Sequence, residues 1–349
     1  MEAYLGDIWF FLWGLLWAIY FALDGFDFGI GMLVPAIGLG SEKERSTMHL
    51  ATGPVWDGNQ VWLITAGGVT FAAFPLAYAV MFSSLYTALL LLLLMLILRG
   101  AAAELRHQSS CGAWRQLWDL IVAGASFLAA LLLGVAFSNI FRGLPLDAGH
   151  IFQGYEILGG LTSNTLSLLH PYCLLGGVLF VVMFALHGAM YLSWRVSGDL
   201  SAKSLIVARV LWPVFMVIFL LYVVLTFAWA GLWVNYALSP LLLGLPLACV
   251  LAFLAGGHQL YRTTNTKTAF IYNGLGIITL TLTGIAGIYP NLLPSRLDPA
   301  GALTIANASS TPKTLGIMLA VALVFVPIVI LYQWWAHRQL AHRLNAEYE

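Results

Sequence analysis

Four carboxylates stand where an apolar chain least tolerates them. Asp57 lies in Pro54-Val55-Trp56-Asp57-Gly58-Asn59-Gln60-Val61-Trp62, a polar knot at the head of a segment that otherwise reads as a membrane span. Asp24 and Asp27 fall in Leu23-Asp24-Gly25-Phe26-Asp27-Phe28-Gly29-Ile30-Gly31, three apart and so on one helical face. Glu104 belongs to Arg99-Gly100-Ala101-Ala102-Ala103-Glu104-Leu105-Arg106. Placing an Asp at the centre of a membrane helix costs roughly 2.5 to 3.5 kcal/mol on insertion scales, and such residues usually face a bundle interior and serve ion or proton movement. Proton transfer is the chemistry these residue types allow. A purely structural reading fits them too, with Asp24, Asp27 and Asp57 bonding helix ends or broken backbone and Glu104 pairing with Arg99 or Arg106.

The elements that must position them are membrane helices. Of 349 residues, 61% are hydrophobic and 9% are charged, against about 25% charged in soluble domains. The formal charge is zero, so nothing points to a nucleic-acid partner. A span needs about 20 mostly apolar residues, and the sequence predicts an all-α polytopic membrane protein with nine, at about 5–38, 50–73, 75–101, 115–141, 170–194, 204–231, 238–257, 267–289 and 313–336. They form a single integral membrane domain over 1–349, without internal repeats or a soluble domain. The N-terminus reads as a first span, not a removed signal peptide.

Basic residues give the orientation, since Lys and Arg gather in cytoplasmic loops. Twelve of the fifteen fall in alternate loops with Lys43, Arg45, Arg99, Arg106, Arg262 and Arg338; the other set holds only Arg142, Arg296 and Lys313. The N-terminus is expected outside and the C-terminus in the cytoplasm. One span more or fewer would destroy this asymmetry. Tryptophans at span edges (Trp114, Trp118, Trp194, Trp229, Trp233, Trp334 and Trp335) suit interfacial belts.

Topology then predicts depth. Asp24 and Asp27 come late in an inward-running first span, Asp57 about seven residues into an outward-running second, and Glu104 at the cytoplasmic rim of the third. Asp57 is thus the expected middle rung of a graded series. Gly25 and Gly29 have the small-xxx-small spacing that lets a second helix approach.

The remaining candidates read more plainly. Cys111, Cys173 and Cys249 are small apolar fillers without ligand spacing. His187 is a hydrogen-bonded interior histidine, and no histidine pair or triad has metal-ligand spacing. Trp9, Trp13 and Trp17 form a packing stripe; Trp56 and Trp62 flank the knot, where channel wall and simple packing are equally good readings. The longest link, about 142–169, lies outside, holds Asp147, His150 and Glu156 and reads as a plain connector, with a partner-docking loop as the alternative.

The Asp-Gly-Phe-Asp-x-Gly-x-Gly-Met run at 24–32, Trp-Asp-Gly-Asn-Gln-Val-Trp-Leu-Ile-Thr-Ala-Gly-Gly at 56–68, Arg-Gly-x-Ala-x-Glu-x-Arg at 99–106 and His-Gly-Ala-Met-Tyr at 187–191 resemble subunit II of cytochrome bd quinol oxidase. The resemblance implies a partner subunit I that carries b- and d-type haems and oxidises membrane quinol, while this chain binds no cofactor alone. It implies a bacterial cytoplasmic (inner) membrane, lipid contacts and small accessory single-span subunits; some members also hold a structural quinone. By motif position Asp57 and Glu104 would be proton-path residues, Asp27 part of the same polar system, with Asp24 beside it on that face, and Trp62 a border of the oxygen route, with Trp56, Asn59 and Gln60 supporting the knot. The implied reaction is quinol oxidation coupled to four-electron reduction of dioxygen to water, drawing protons from the cytoplasm and separating charge without a pump. His107-Gln108 departs from relatives that have a nearby lysine, which bears on the path's entrance. From the residues alone, a proton-coupled secondary transporter and an inert scaffold are the rival readings.

Overall fold

The structure, a computed structural model, describes residues 4–38, 41–154, 166–263, 265–339 and 344. Glu156, His342 and Arg343 lie outside the described residues. The helices are α1 Leu5–Ile37, α2 Glu42–Thr52, α3 Trp56–Ala73, α4 Pro75–Ser84, α5 Tyr86–Leu105, α6 Gly112–Arg142, α7 Pro171–Arg195, α8 Gly198–Trp229, α9 Trp233–Leu238, α10 Gly244–His258, α11 Thr266–Ile288, α12 Ile305–Ala308 and α13 Pro312–Gln339.

Helix α1 is largely apolar and buried along most of its length, and its Trp13, Tyr20, Phe26 and Phe28 are fully buried. Such a helix belongs inside a bundle, and α1 packs against α3, α6, α7 and α11. The Gly25/Gly29 face does what its spacing predicts. A Cβ on Gly29 would come 1.9 Å from the Phe184 carbonyl oxygen of α7, and one on Gly25 would come 2.7 Å from the Phe184 ring. A second crossing repeats the device, because a Cβ on Gly134 of α6 would lie 2.4 Å from the Gly176 oxygen of α7.

Among the described residues, eight helical stretches are long and apolar enough to cross a membrane. The expected second span, α3, is not among them, since it opens on Asp57, Asn59 and Gln60, which lower its hydropathy. It also starts later than predicted. Ser41 caps α2 by accepting from the Glu44 N–H, the charge-rich α2 runs as a separate helix, and Gly53-Pro54 ends it because Pro54 has no N–H to continue the ladder. The expected third span is divided at Leu85 into α4 and α5; just before the division the Ser83 hydroxyl bonds the Ala79 and Val80 carbonyls, competing with the helical ladder.

The described part of the 142–169 link corrects the plain-connector expectation. Leu144 bridges to Ser295 and Leu146 to Phe152, beside a small antiparallel pair, β1 Asn291–Leu293 and β2 Leu303–Thr304. The Asp147 carboxylate accepts from the Gly149 and Ile151 N–H groups and from Gln153 Nε2, and these bonds hold it below the usual carboxylate range. His150 Nδ1 lies 3.0 Å from the Gly301 oxygen. The result is a compact cap over one end of the bundle.

Substituting Gly29→Ala must push α1 from α7, with an expected loss of about 1–3 kcal/mol. Gly124→Ala, where a Cβ meets nothing within 4 Å, should be neutral or gain up to about 1 kcal/mol. Thermal unfolding in detergent measures both, and equal midpoints would contradict the close crossing.

Candidate functional site

Arg99 rises from the apolar run of α5 and is 6% exposed. Its guanidinium meets fully buried Asp24 of α1 as a fork, Nη2 to Oδ1 at 2.5 Å and Nη1 to Oδ2 at 3.1 Å, and lies 4.1 Å from the Phe28 ring centroid. Bidentate geometry is what offsets the cost of taking both charges out of water. The alternative in which Glu104 pairs with Arg99 or Arg106 does not form among the described residues: Arg99 serves Asp24, and Arg106 turns to α2 and α6.

Asp27, one turn on, is held differently. Its Oδ2 accepts from Asn59 Nδ2 at 2.7 Å, while its Oδ1 has no hydrogen-bond partner among the described residues. A cavity of about 260 Å³ opens beside it, walled also by Arg99, His49, Trp56, Glu104 and His107. Glu104 and His107 are exposed, so the cavity joins the basic end of the bundle to the buried carboxyl of Asp27. Its polar wall suits ordered water.

The knot at the head of α3 points three ways. Asn59 is buried and turned to α1. Trp62 is also buried, and its Nε1 donates to Gln333 Oε1 of α13 at 2.8 Å; Gln333 Nε2 donates to the Gly58 carbonyl at 2.8 Å. Trp56 and Gln60 are half-buried, and Trp56 rests against α5 opposite Gly100. Asp57 points outward and is exposed, which corrects its placement as a buried middle rung. Because α3 begins at Trp56, Asp57 lies in the first turn, where unsatisfied N–H groups favour a negative charge. It heads an exposed stripe continued by Val61, Ile64, Gly68 and Phe71.

A charge clasp missed in the sequence closes the basic end. Buried Asp119 of α6 accepts from Arg106 Nε at 2.6 Å, pairs with His49 Nε2 at 2.8 Å and lies within ion-pair distance of Arg45 Nε at 3.1 Å. Fully buried Arg106 also donates to Glu42 at 2.9 Å and to Ser46 at 3.2 Å. Burial by itself would raise the Glu42 carboxyl, but Arg45, Arg106 and Arg115 hold it below its ordinary value, so its stabilising part is present above the usual carboxylate range and is lost as acid protonates it. An Asp inside the expected fourth span and a Gln inside the ninth were the available signals for Asp119 and Gln333. His187 conforms to expectation, with Nε2 3.1 Å from the Ala22 oxygen and Nδ1 3.0 Å from Asn273 Nδ2.

Substituting Asp24→Asn leaves Arg99 buried without its counter-charge and should cost about 3–5 kcal/mol. Asp27→Asn keeps an acceptor for Asn59 and should cost less than about 1 kcal/mol. Unfolding of the two variants in detergent checks the difference; equal losses would contradict the assignment of the ion pair to Asp24.

Comparison with known proteins gives the family. A family model described as cytochrome bd terminal oxidase subunit II matches residues 5–340. The chain is 34% identical over 368 residues to cytochrome bd-I ubiquinol oxidase subunit 2 of Escherichia coli (strain K12), covering 97% of this chain and 95% of that one. It is 32% identical over 343 residues to cytochrome bd ubiquinol oxidase subunit 2 of Bacillus subtilis (strain 168), covering 98% of each. Among solved structures, the bd oxidase from Geobacillus thermodenitrificans shares the fold with a TM-score of 0.76 at 16% identity, over 96% of this chain and 98% of that one. With polar motifs, helical bundle and full-length likeness in accord, the chain belongs to the cytochrome bd terminal oxidase subunit II family.

Proposed function

We propose that this chain carries protons from the cytoplasm toward oxygen chemistry performed in its partner subunit. As subunit II of a cytochrome bd terminal oxidase it is a multi-pass membrane component of a quinol oxidase, an oxidoreductase complex with a subunit I. In this reading Glu104 and His107 form the mouth, the 260 Å³ cavity holds the water, and Asp27 takes up and releases the proton. The supporting observation is the unpartnered Asp27 Oδ1 beside a cavity whose mouth is polar and exposed. Asp24, with both oxygens on Arg99, anchors the site.

Asp57 is given the partner side, as the proton-path residue that delivers protons to subunit I. A carboxylate heading an apolar stripe is costly against lipid, whereas subunit I would cover Val61, Ile64 and Phe71 and accept a polar contact at Asp57. The basic end is the cytoplasmic one, and residues 1–349 work as one integral domain of the bacterial inner membrane. An apolar groove of about 830 Å³, walled by Leu63, Gly67, Phe71, Leu92 and Phe137, suits dioxygen diffusion and is large enough for a quinone or lipid tail; Trp62 stands on the same helix. The b- and d-type haems are assigned to subunit I, a reading supported by His187, whose two ring nitrogens are already engaged. Lipid and small single-span subunits would cover α8 and α10. Quinol oxidation would then drive four-electron reduction of dioxygen to water, with charge separated by proton uptake from the cytoplasm and release of quinol protons opposite.

In the assembled complex, Asp57→Asn should lower oxygen consumption roughly a hundredfold with haem content retained. Normal consumption with intact haems would remove the proton role, and loss of haems would make Asp57 structural.

A further inference from the structure

Helix α13 is nearly uncovered. Leu315 is its buried side chain among the described residues, and the described side-chain hydrogen bonds that tie it to the bundle lie near its two ends. Near the start, Trp9 Nε1 donates to the Leu315 carbonyl at 3.0 Å. Near the other end Gln333 makes two bonds at once, its Oε1 accepting from Trp62 Nε1 and its Nε2 donating to the Gly58 carbonyl, both at 2.8 Å. Those partners are one helical turn apart on α3, and Gly58 immediately follows Asp57. The Gly58 oxygen lies within the helical ladder, so the Gln333 amide uses its second lone pair. A primary amide is the side chain that offers an acceptor and a donor at this spacing without adding charge at membrane depth.

The geometry points to Gln333 as a positioning residue for Asp57. Its amide brackets the first turn of α3 and sets the rotation of that helix, so that the face with Asn59 stays on Asp27 while Asp57 stays on the opposite, exposed side. Without the bracket, the head of α3 keeps Asn59 as its described side-chain hydrogen bond to another helix, and the Asp57 carboxyl loses its fixed direction. This inference rests on the reading that Asp57 delivers protons to the partner subunit, and it adds a residue 276 positions away on the last helix to that task.

Four single variants of the whole complex, Asp57→Asn, Gln333→Leu, Gln333→Glu and Trp62→Phe, and one double variant test it by oxygen consumption, quinol KM, haem content and pH profile. Gln333→Leu should lower kcat about tenfold, as expected for a misdirected group, with KM and haem content unchanged, and Trp62→Phe should lower it less. Gln333→Glu supplies the decisive readout. Protonated, Glu has both the acceptor and a hydroxyl donor; ionised, it has no donor for Gly58. Its activity should therefore approach that of the unsubstituted complex at acid pH and fall as pH rises through the carboxyl titration, a limb absent from the unsubstituted profile. The double variant Asp57→Asn with Gln333→Leu should be no slower than Asp57→Asn alone. Normal kcat in Gln333→Leu while Asp57→Asn is impaired would overturn the bracket and leave the proton reading standing. Normal kcat in Asp57→Asn would overturn the proton reading itself. Haem loss or a flat pH profile in Gln333→Glu would overturn the positioning role in favour of a structural one.

Discussion

The buried ion pair between Asp24 and Arg99 is the interaction on which the rest depends. A guanidinium inside an apolar bundle must be matched by a carboxylate in good geometry or it is expelled. Both Nη atoms reach Asp24, which fixes α5 against α1 and spends the positive charge on one carboxyl only. Asp27 is left with a neutral amide and an oxygen that has no hydrogen-bond partner among the described residues. Two acidic residues three apart on one helix thus receive opposite assignments, and the difference comes entirely from what α3 and α5 bring to them.

The second constraint is the interruption at Gly53-Pro54. Because α2 ends there and α3 starts afresh, the polar residues that looked like the interior of a long span form a helix head. A helix head carries unsatisfied N–H groups and accommodates polar side chains in several directions. Asn59 turns inward, Asp57 outward, and the Gly58 carbonyl sideways to Gln333. The clasp around Asp119 closes the basic end of α2, α5 and α6 beside the same cavity, so the basic groups Arg45, His49 and Arg106 are engaged by Asp119 and leave Glu104 and His107 at the mouth.

Much of this was legible in the sequence because it is one-dimensional. Hydropathy marks most of the spans, and Gly25 and Gly29 announce a close crossing without naming α7. Partner choice across the bundle was not legible: Arg99 and Asp24 are 75 residues apart, and nothing local distinguishes that pairing from Arg99 with nearby Glu104. The direction of Asp57 was hidden for a related reason, since it depends on where α3 begins and hence on Pro54 outweighing the apolar run. Gln333 and Asp119 were visible as polar residues in apolar spans, but the carboxylates of the opening motifs drew the functional reading away from them.

The central claim is that Asp24 stays paired with Arg99 while Asp27 exchanges a proton during turnover. Redox-induced infrared difference spectroscopy of the assembled complex tests it directly, through the carbonyl stretch of a protonated carboxyl. The account predicts a carboxyl band that changes between the oxidised and reduced complex and disappears in Asp27→Asn, where Asp24 is still present. A band unaffected by Asp27→Asn would contradict it.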